Sequence, residues 1–211
     1  MRIRFAYAAL LLAAASVRGL ESNNEPPTAW SFEAGAGYVF VSGAHYETNP
    51  DPAIRREDQR AWSPYVGVAA KISPTVAVRA AYQFIGGLET DAIYPYPPGP
   101  GTTKPMVVTP ARYHSDIHVG SIGVQLQKPL TGRIAVFVTP ALDWVFERGE
   151  VTYFSGPGTA RNRNALRVGA TLGIHYQLER RWTADLGYRY IDAQPSWSRQ
   201  LHALNLGFTF H

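Results

Sequence analysis

The chain has 211 residues, of which 17% are charged, whereas about 25% is typical of soluble domains. The absence of cysteine excludes disulfides, thiolate metal sites, a cysteine nucleophile and a lipoprotein anchor. The formal charge is +4, but three of the arginines lie in a predicted signal peptide, so the mature chain is nearly neutral and nucleic acid is not an expected partner.

The N-terminus has the pattern of an export signal. Arg2 and Arg4 precede an apolar run at residues 5–15, which is shorter than the ~20 residues of a membrane-spanning helix. Small residues at 13–15 and at 17–19 offer two candidate cleavage sites, and the sequence leaves both open. The predicted division is a signal peptide at 1–19, a periplasmic lead at 20–29 and a folded domain at 30–211.

From Trp30 onward, apolar residues recur at every second position, which is the period of a β-strand. In the fourth strand Ile117 and Val119 share one parity, whereas Ile122 and Val124 share the other, and a bulge near residues 120–123 would explain the change. The predicted strands lie at about 30–40, 65–72, 76–84, 113–127, 134–146, 166–178, 182–190 and 203–210.

The connections favour a transmembrane barrel over a soluble sandwich or a lipocalin-like barrel. Long and short connections alternate, as in membrane barrels with short periplasmic turns and long outer loops. The Pro-rich segment at 94–101 is predicted to be such an irregular loop. One face of the strands is apolar, and the other is mostly Gly and Ala with sparse charges, which suits a narrow interior. The fold expected is an all-β, eight-stranded antiparallel up-and-down barrel.

Two segments near the C-terminus carry a resemblance to a known family. The stretch at 186–190 (LGYRY) and the aromatic-ended last strand resemble the OmpA-type and opacity-type porin-like superfamily of small outer-membrane barrels. The resemblance implies a bacterial outer-membrane location, and a last strand that the barrel-assembly machinery recognises. That signal would consist of Leu204, Leu206, Gly207, Phe208 and Phe210. Two departures are that His211 follows the terminal aromatic and that no peptidoglycan-binding domain follows the barrel.

Sparse charges on the small-residue face predict an interior network of ion pairs. A bidentate pair between arginine and carboxylate is the natural way to bury such groups. The same groups are also compatible with the lining of a gated passage, although eight strands leave room for little more than side chains. The predicted network consists of Glu33, Arg79, Asp143, Arg167, Asp185 and Arg189.

Three residues of the fourth strand form a weak candidate for a metal site. His114, Asp116 and His118 share one face at period two, and imidazole and carboxylate are good ligands. The preferred interpretation is an ordinary polar lining of the barrel, with no metal and no cofactor. Ser115 would point to the opposite face, toward lipid, so a Ser/His/Asp arrangement fails on geometry. The sequence therefore predicts no enzyme.

Two classes of function remain open. The first is a structural, adhesive or surface-interaction barrel whose interior is plugged by side chains. The second is a narrow porin or small-ligand carrier, and a lipid-A-modifying enzyme is a more remote alternative. The expected partners are outer-membrane lipid, lipopolysaccharide, whose phosphates basic loop residues would touch, and the barrel-assembly machinery. The sequence does not name a surface ligand.

Overall fold

The computed structural model describes residues 30–42, 53–54, 59–96, 107–153, 156–193 and 199–211, so the predicted signal peptide and lead lie outside the described part. None of the described residues forms a helix long and apolar enough to cross a membrane. The strands are β1 (Trp30–Ser42), β2 (Ala53–Ile54), β3 (Gln59–Ser73), β4 (Val76–Tyr96), β5 (Val107–Pro129), β6 (Ile134–Tyr153), β7 (Gly156–Glu179), β8 (Trp182–Ala193) and β9 (Arg199–Phe210).

Eight long antiparallel strands close into a barrel. Each is hydrogen-bonded to the next along the chain, and β9 pairs with β1 from Phe32↔Phe210 to Ser42↔Gln200. The two-residue β2 is a small addition to β4. Short turns join β3 to β4, β5 to β6 and β7 to β8, and such turns face the periplasm in membrane barrels. We therefore call this end of the barrel periplasmic and the opposite end outer, and the predicted up-and-down barrel is confirmed.

The outside of the barrel carries a continuous belt of large apolar side chains. Phe32 is 60% exposed and Leu172 is 62% exposed. A soluble monomer rarely exposes so large an apolar patch, whereas a transmembrane barrel requires an apolar band about 25 Å tall. The belt includes Trp30, Phe32, Trp62, Val66, Ile122, Val124, Leu142, Trp144, Leu166, Val168, Leu172, Ile174, Leu186, Leu204, Leu206, Phe208 and Phe210. These are the outward positions that the alternation predicts.

Two hairpins extend further at the outer end than the sequence predicts. β4 and β5 pair as far as Tyr96↔Val107, and β6 and β7 as far as Tyr153↔Gly156. The prediction of irregular loops was therefore wrong for part of these segments, including residues 94–96. Pro95 lies opposite Val108 of β5 and beyond the two pairs that β2 makes with β4, and proline is tolerated at such sheet edges.

The predicted bulge in β5 was also wrong. β5 keeps a constant register with β4 and β6 through residues 120–123. The irregularity lies instead in β4 between Ile85 and Leu88, where Gly87 has a φ of 72° that favours glycine. Ile117 and Val119 consequently share the inward face of β5, although they are apolar. The sequence suggested a change of phase because apolar residues occupy the inward positions at 117 and 119 but the outward positions at 122 and 124.

The inward positions fill the two halves of the interior differently. The outer half contains ten buried apolar residues, which we call the outer apolar cluster: Val39, Val41, Ile85, Leu88, Ile117, Val119, Val145, Ile191, Leu201 and Ala203. The other half is polar and is lined by small residues that leave space for larger ones. A Cβ on Gly173 would lie 2.5 Å from the Phe137 ring, and one on Gly207 would collide with the Tyr65 hydroxyl.

Candidate functional site

The first polar group in the interior is an ion pair between β1 and β4. Arg79 donates from Nε to Glu33 Oε1 at 2.5 Å and from Nη2 to Glu33 Oε2 at 2.9 Å. Both side chains are largely buried, at 13% and 12% exposure. Both strands turn these odd-numbered residues inward, and the register that each strand makes with β3 brings the two side chains to neighbouring levels of the lumen. The bidentate geometry leaves this pair with no net charge.

The second group is centred on Arg189 of β8, in the middle of the barrel. Its Nη2 donates to Asp143 Oδ1 at 2.6 Å and to Ser121 Oγ, and its Nη1 donates to Gln83 Oε1 at 3.0 Å. Gln83 in turn donates to Asn205 Oδ1 at 3.4 Å. Arg189 and Asp143 are almost completely buried, so their charges are removed from water and depend on one another.

The third group joins β7, β8 and β9 near the periplasmic end. His175 Nδ1 lies 2.5 Å from Asp185 Oδ1, and Thr209 donates to Asp185 Oδ2. The other ring nitrogen of His175 lies 2.9 Å from Gln125 Nε2, and the Phe137 ring stacks on the imidazole with a centroid distance of 4.1 Å. Both ring nitrogens and one ring face thus have partners.

A cavity of about 430 Å³ opens at the periplasmic end, below these groups. Glu33, Arg79 and His175 border it, and Lys71, Arg133 and Arg180 also line it. The lining further includes neutral hydrogen-bonding side chains: Ser31, Gln125, Gln127, Thr131, Gln177, Thr183 and Thr209. Apolar residues such as Ala69, Ala77 and Ile134 complete the wall, so the cavity has a mixed lining and faces the periplasm.

The six residues predicted as one network occupy separate groups. Glu33 pairs with Arg79 and Asp143 with Arg189, whereas Asp185 contacts His175. Arg167 donates from Nη1 to the backbone oxygen of Leu166 at 3.2 Å. The charge pattern did not single out Tyr65, Gln83, Gln125, His175 or Thr209. The alternation along each strand could have identified them, because it places a side chain in the lumen whether or not that side chain is charged.

The weak metal candidate requires a correction. His114, Asp116 and His118 lie on the outward face of β5, whereas Ser115 is fully buried inside; the sequence predicted the reverse. Ile117 and Val119 occupy the lumen, so the odd-numbered residues of β5 face inward and the even-numbered residues face outward. His114 contacts Glu89 and Asp116 only at 3.7 and 3.8 Å, and the Tyr82 hydroxyl lies 2.6 Å from His118 Nδ1. Among the described residues, no three His, Asp or Glu side chains are placed to hold a metal ion.

The residues of the predicted assembly signal alternate on β9. Leu204, Leu206, Phe208 and Phe210 are exposed on the belt, and Gly207 faces inward. Gly207 lies opposite Gly35 across the closing seam, where the Tyr65 side chain fills the space that both leave. Their recognition by the assembly machinery stays a prediction.

Comparison with solved structures identifies the fold. Neisserial surface protein A (NspA) superimposes with a TM-score of 0.54 and 12% identity, covering 88% of this chain and 99% of that chain. Ail, the attachment invasion locus protein of Yersinia pestis, gives a TM-score of 0.53 and 11% identity, with the same coverage. No protein-family profile and no curated protein sequence matches the chain.

Identities of this size show a shared fold and nothing finer. The fold is that of small outer-membrane β-barrels, and the apolar belt is the surface that such barrels turn to lipid. The predicted fold class is thereby confirmed, and the resemblance to small outer-membrane barrels holds at the level of the fold.

Proposed function

We propose that this protein is a surface-interaction barrel with a structural or adhesive role, whose interior does not pass solutes. The outer apolar cluster is the observation that carries the proposal. Ten buried aliphatic side chains from β1, β4, β5, β6, β8 and β9 meet in the outer half of the lumen. Hydrated ions avoid a constriction formed largely by aliphatic side chains, because hydrocarbon offers no partner for their water shell.

The outer end of the barrel supports the second part of the proposal. β4, β5, β6 and β7 have 20 to 24 residues, whereas β1, β8 and β9 have 12 or 13. The long strands therefore raise a wall on one side of the barrel, beyond the belt. Such a wall has no use in holding the barrel in lipid, but it presents a surface outside the cell. Ail, which shares the fold, is named for attachment and invasion.

Two partners follow from the outer-membrane setting. Exposed Arg112 and Arg148 lie on the outward face beyond the aromatic residues of the belt, and arginine pairs well with phosphate groups such as those of lipopolysaccharide. We propose lipopolysaccharide as the lipid partner and the assembly machinery as a transient one. We assign no catalytic role, because Ser115 is enclosed in the lumen while His114 and His118 point outward. That placement offers no activated nucleophile for lipid-A modification.

The second candidate is a narrow porin or small-ligand carrier, which the periplasmic cavity favours. Planar-bilayer recordings distinguish it from the first. We expect the purified barrel to show no unitary conductance, whereas Ile117→Ser together with Val119→Ser should introduce brief openings. A stable conductance in the unaltered barrel would support the porin and contradict the closed lumen.

The surface role is tested on whole cells. Residues 89–114 are replaced by a two-residue Asn-Gly turn, which closes a hairpin directly after the Leu88↔Ser115 pair. Attachment to host cells or matrix should fall, while heat-modifiable mobility in mild SDS shows that the barrel still folds. A matched truncation of β6 and β7, replacing residues 150–160, identifies which hairpin matters. Unchanged attachment with both truncations would refute the adhesive role.

A further inference from the structure

The periplasmic cavity has the dimensions of a ligand site. Its volume of about 430 Å³ lies within the ~300–1,000 Å³ that small-molecule pockets occupy. It is open toward the periplasm, and the buried side chains of Tyr65, Asp143 and Arg189 fill the lumen beyond it. A solute can therefore enter from the periplasm and has no continuous path to the outer half.

The charged side chains at the inner wall of the cavity have close partners. Glu33 neutralises Arg79 in a bidentate pair, and Asp185 lies against His175. The remaining polar groups are amides and hydroxyls, among them Ser31, Gln127, Gln177 and Thr183. This surface suits a neutral, hydroxyl-rich body, because each hydroxyl group can donate and accept hydrogen bonds.

The mouth of the cavity, in contrast, is cationic. Lys71, Arg133 and Arg180 line it. Neither Arg133 nor Arg180 forms an ion pair with another described residue. Both arginines come from the short turns and are exposed, so they lie at the rim of the opening. A ligand with one anionic group would place that group here.

We propose that the cavity binds an anionic monosaccharide, a sugar acid or a sugar phosphate, from the periplasmic side. The hydroxyl groups of the sugar contact the amide and hydroxyl side chains of the inner wall, and the carboxylate or phosphate pairs with Arg133 and Arg180. Arginine matches both kinds of anion with two parallel hydrogen bonds. The site is separate from the outer surface. A negative result for sugar binding would therefore leave the surface role untouched, and a negative result for attachment would leave the sugar site untouched.

The chain offers a matched control for this proposal. Lys128 and Arg181 lie at the same end of the barrel, yet neither lines the cavity. The variant Arg133→Gln with Arg180→Gln and the variant Lys128→Gln with Arg181→Gln remove the same charge. A site in the cavity responds only to the first variant, whereas general attraction to a basic rim responds to both. Heat-modifiable mobility confirms that each variant is folded.

The measurement is titration calorimetry of the barrel in neutral detergent micelles, with glucuronate, glucose 6-phosphate and glucose as probes. We expect at least one anionic sugar to bind, glucose to bind more weakly, and the cavity variant to lose about tenfold in affinity, equivalent to ~1.4 kcal/mol. The better anionic probe identifies carboxylate or phosphate as the group recognised. The Lys128 and Arg181 control should change affinity by less than about twofold.

A third variant tests whether the ligand enters the cavity. Ala135 lines the wall beside His175, and Ala135→Leu places a larger side chain there without changing charge. This variant should weaken binding of the anionic sugar. Equal losses in the two charge variants, full affinity in Ala135→Leu, or no heat with either anionic sugar at tens of millimolar would each overturn the proposal.

Discussion

The two halves of the barrel interior use the same alternation of residues, yet they are filled in opposite ways. In the outer half, aliphatic side chains such as Ile117 and Val145 pack against one another, with the buried Glu147 at the same level. In the periplasmic half, Glu33, Arg79 and Asp185 are held by ion pairs and hydrogen bonds beside an open cavity. The strands of the wall therefore fix which side chains point inward, while the chemistry of those side chains decides whether aliphatic packing or polar contacts fill the lumen.

The difference between the two halves predicts that they respond differently to substitutions. In a packed aliphatic cluster, the cost of a substitution grows with the volume removed, because a cavity is left. In a buried ionic group, the cost depends on the partner, because removal of one charge strands the other. The Arg189 group lies between the two halves, where Asp143 is fully buried. It should be the most sensitive point of the interior.

The largest expected effect is that of Arg189→Met. The substitution removes the partner of Asp143 and of Gln83, so the free energy of unfolding should fall by about 3–5 kcal/mol. Urea unfolding from lipid vesicles measures the change. The control is the double variant Arg189→Met with Asp143→Leu, which should recover most of the loss because no unpaired charge remains. Equal destabilisation in both variants would show that packing, and not charge, holds the centre of the barrel.

A second prediction tests the outer half by volume alone. Ile117→Ala should lower the free energy of unfolding by about 2–5 kcal/mol, because the side chain is fully buried in the outer apolar cluster. Ile122→Ala is the matched control on the same strand, where the side chain is 66% exposed on the belt. Lipid tails can fill the space that Ile122 leaves, so its loss should be smaller. The opposite ranking in the same urea series would contradict the inward face assigned to Ile117.

The outward face of the barrel was predictable from the sequence because the alternation is regular there. In β6 and β9, an apolar residue stands at nearly every second position, and the structure places these residues on the belt. The short turns and the order of strands followed from the same pattern. These features depend on local periodicity and on connection length, which a sequence contains directly.

The outer half of the lumen was not predictable in this way. Ile117 and Val119 are apolar, and a pattern based on one apolar face assigns such residues to lipid. Their burial in the lumen depends on aliphatic residues from other strands, including Val39, Val145 and Leu201. The same error led to the wrong prediction that His114, Asp116 and His118 face inward. The polar groups were partly missed for a similar reason, since His175 and Asp185 meet only when β7 and β8 pair.

The smallest effect on stability is expected at the end of β9, a strand that runs through both halves. Leu201 and Ala203 belong to the outer apolar cluster, whereas Phe210 lies on the belt at the periplasmic end, 5.2 Å from the Trp182 ring. Phe210→Ala should cost about 0.5–1.5 kcal/mol through the lost aromatic pair, in addition to the lost contact with lipid. Deletion of His211 removes hydrogen bonds to Thr183 and Arg181, each worth about 0.5–1.5 kcal/mol.

If the last strand is recognised before it closes against β1, assembly in cells should separate these two variants. If Phe210 is the residue recognised, Phe210→Ala should sharply reduce insertion into the outer membrane while folding into detergent changes little. Deletion of His211 should leave insertion near normal, since the alternating residues from Leu204 to Phe210 remain intact. Quantitative blotting of outer-membrane fractions beside detergent refolding measures both. Normal insertion of Phe210→Ala together with failure on loss of His211 would move the recognition signal to the terminal residue.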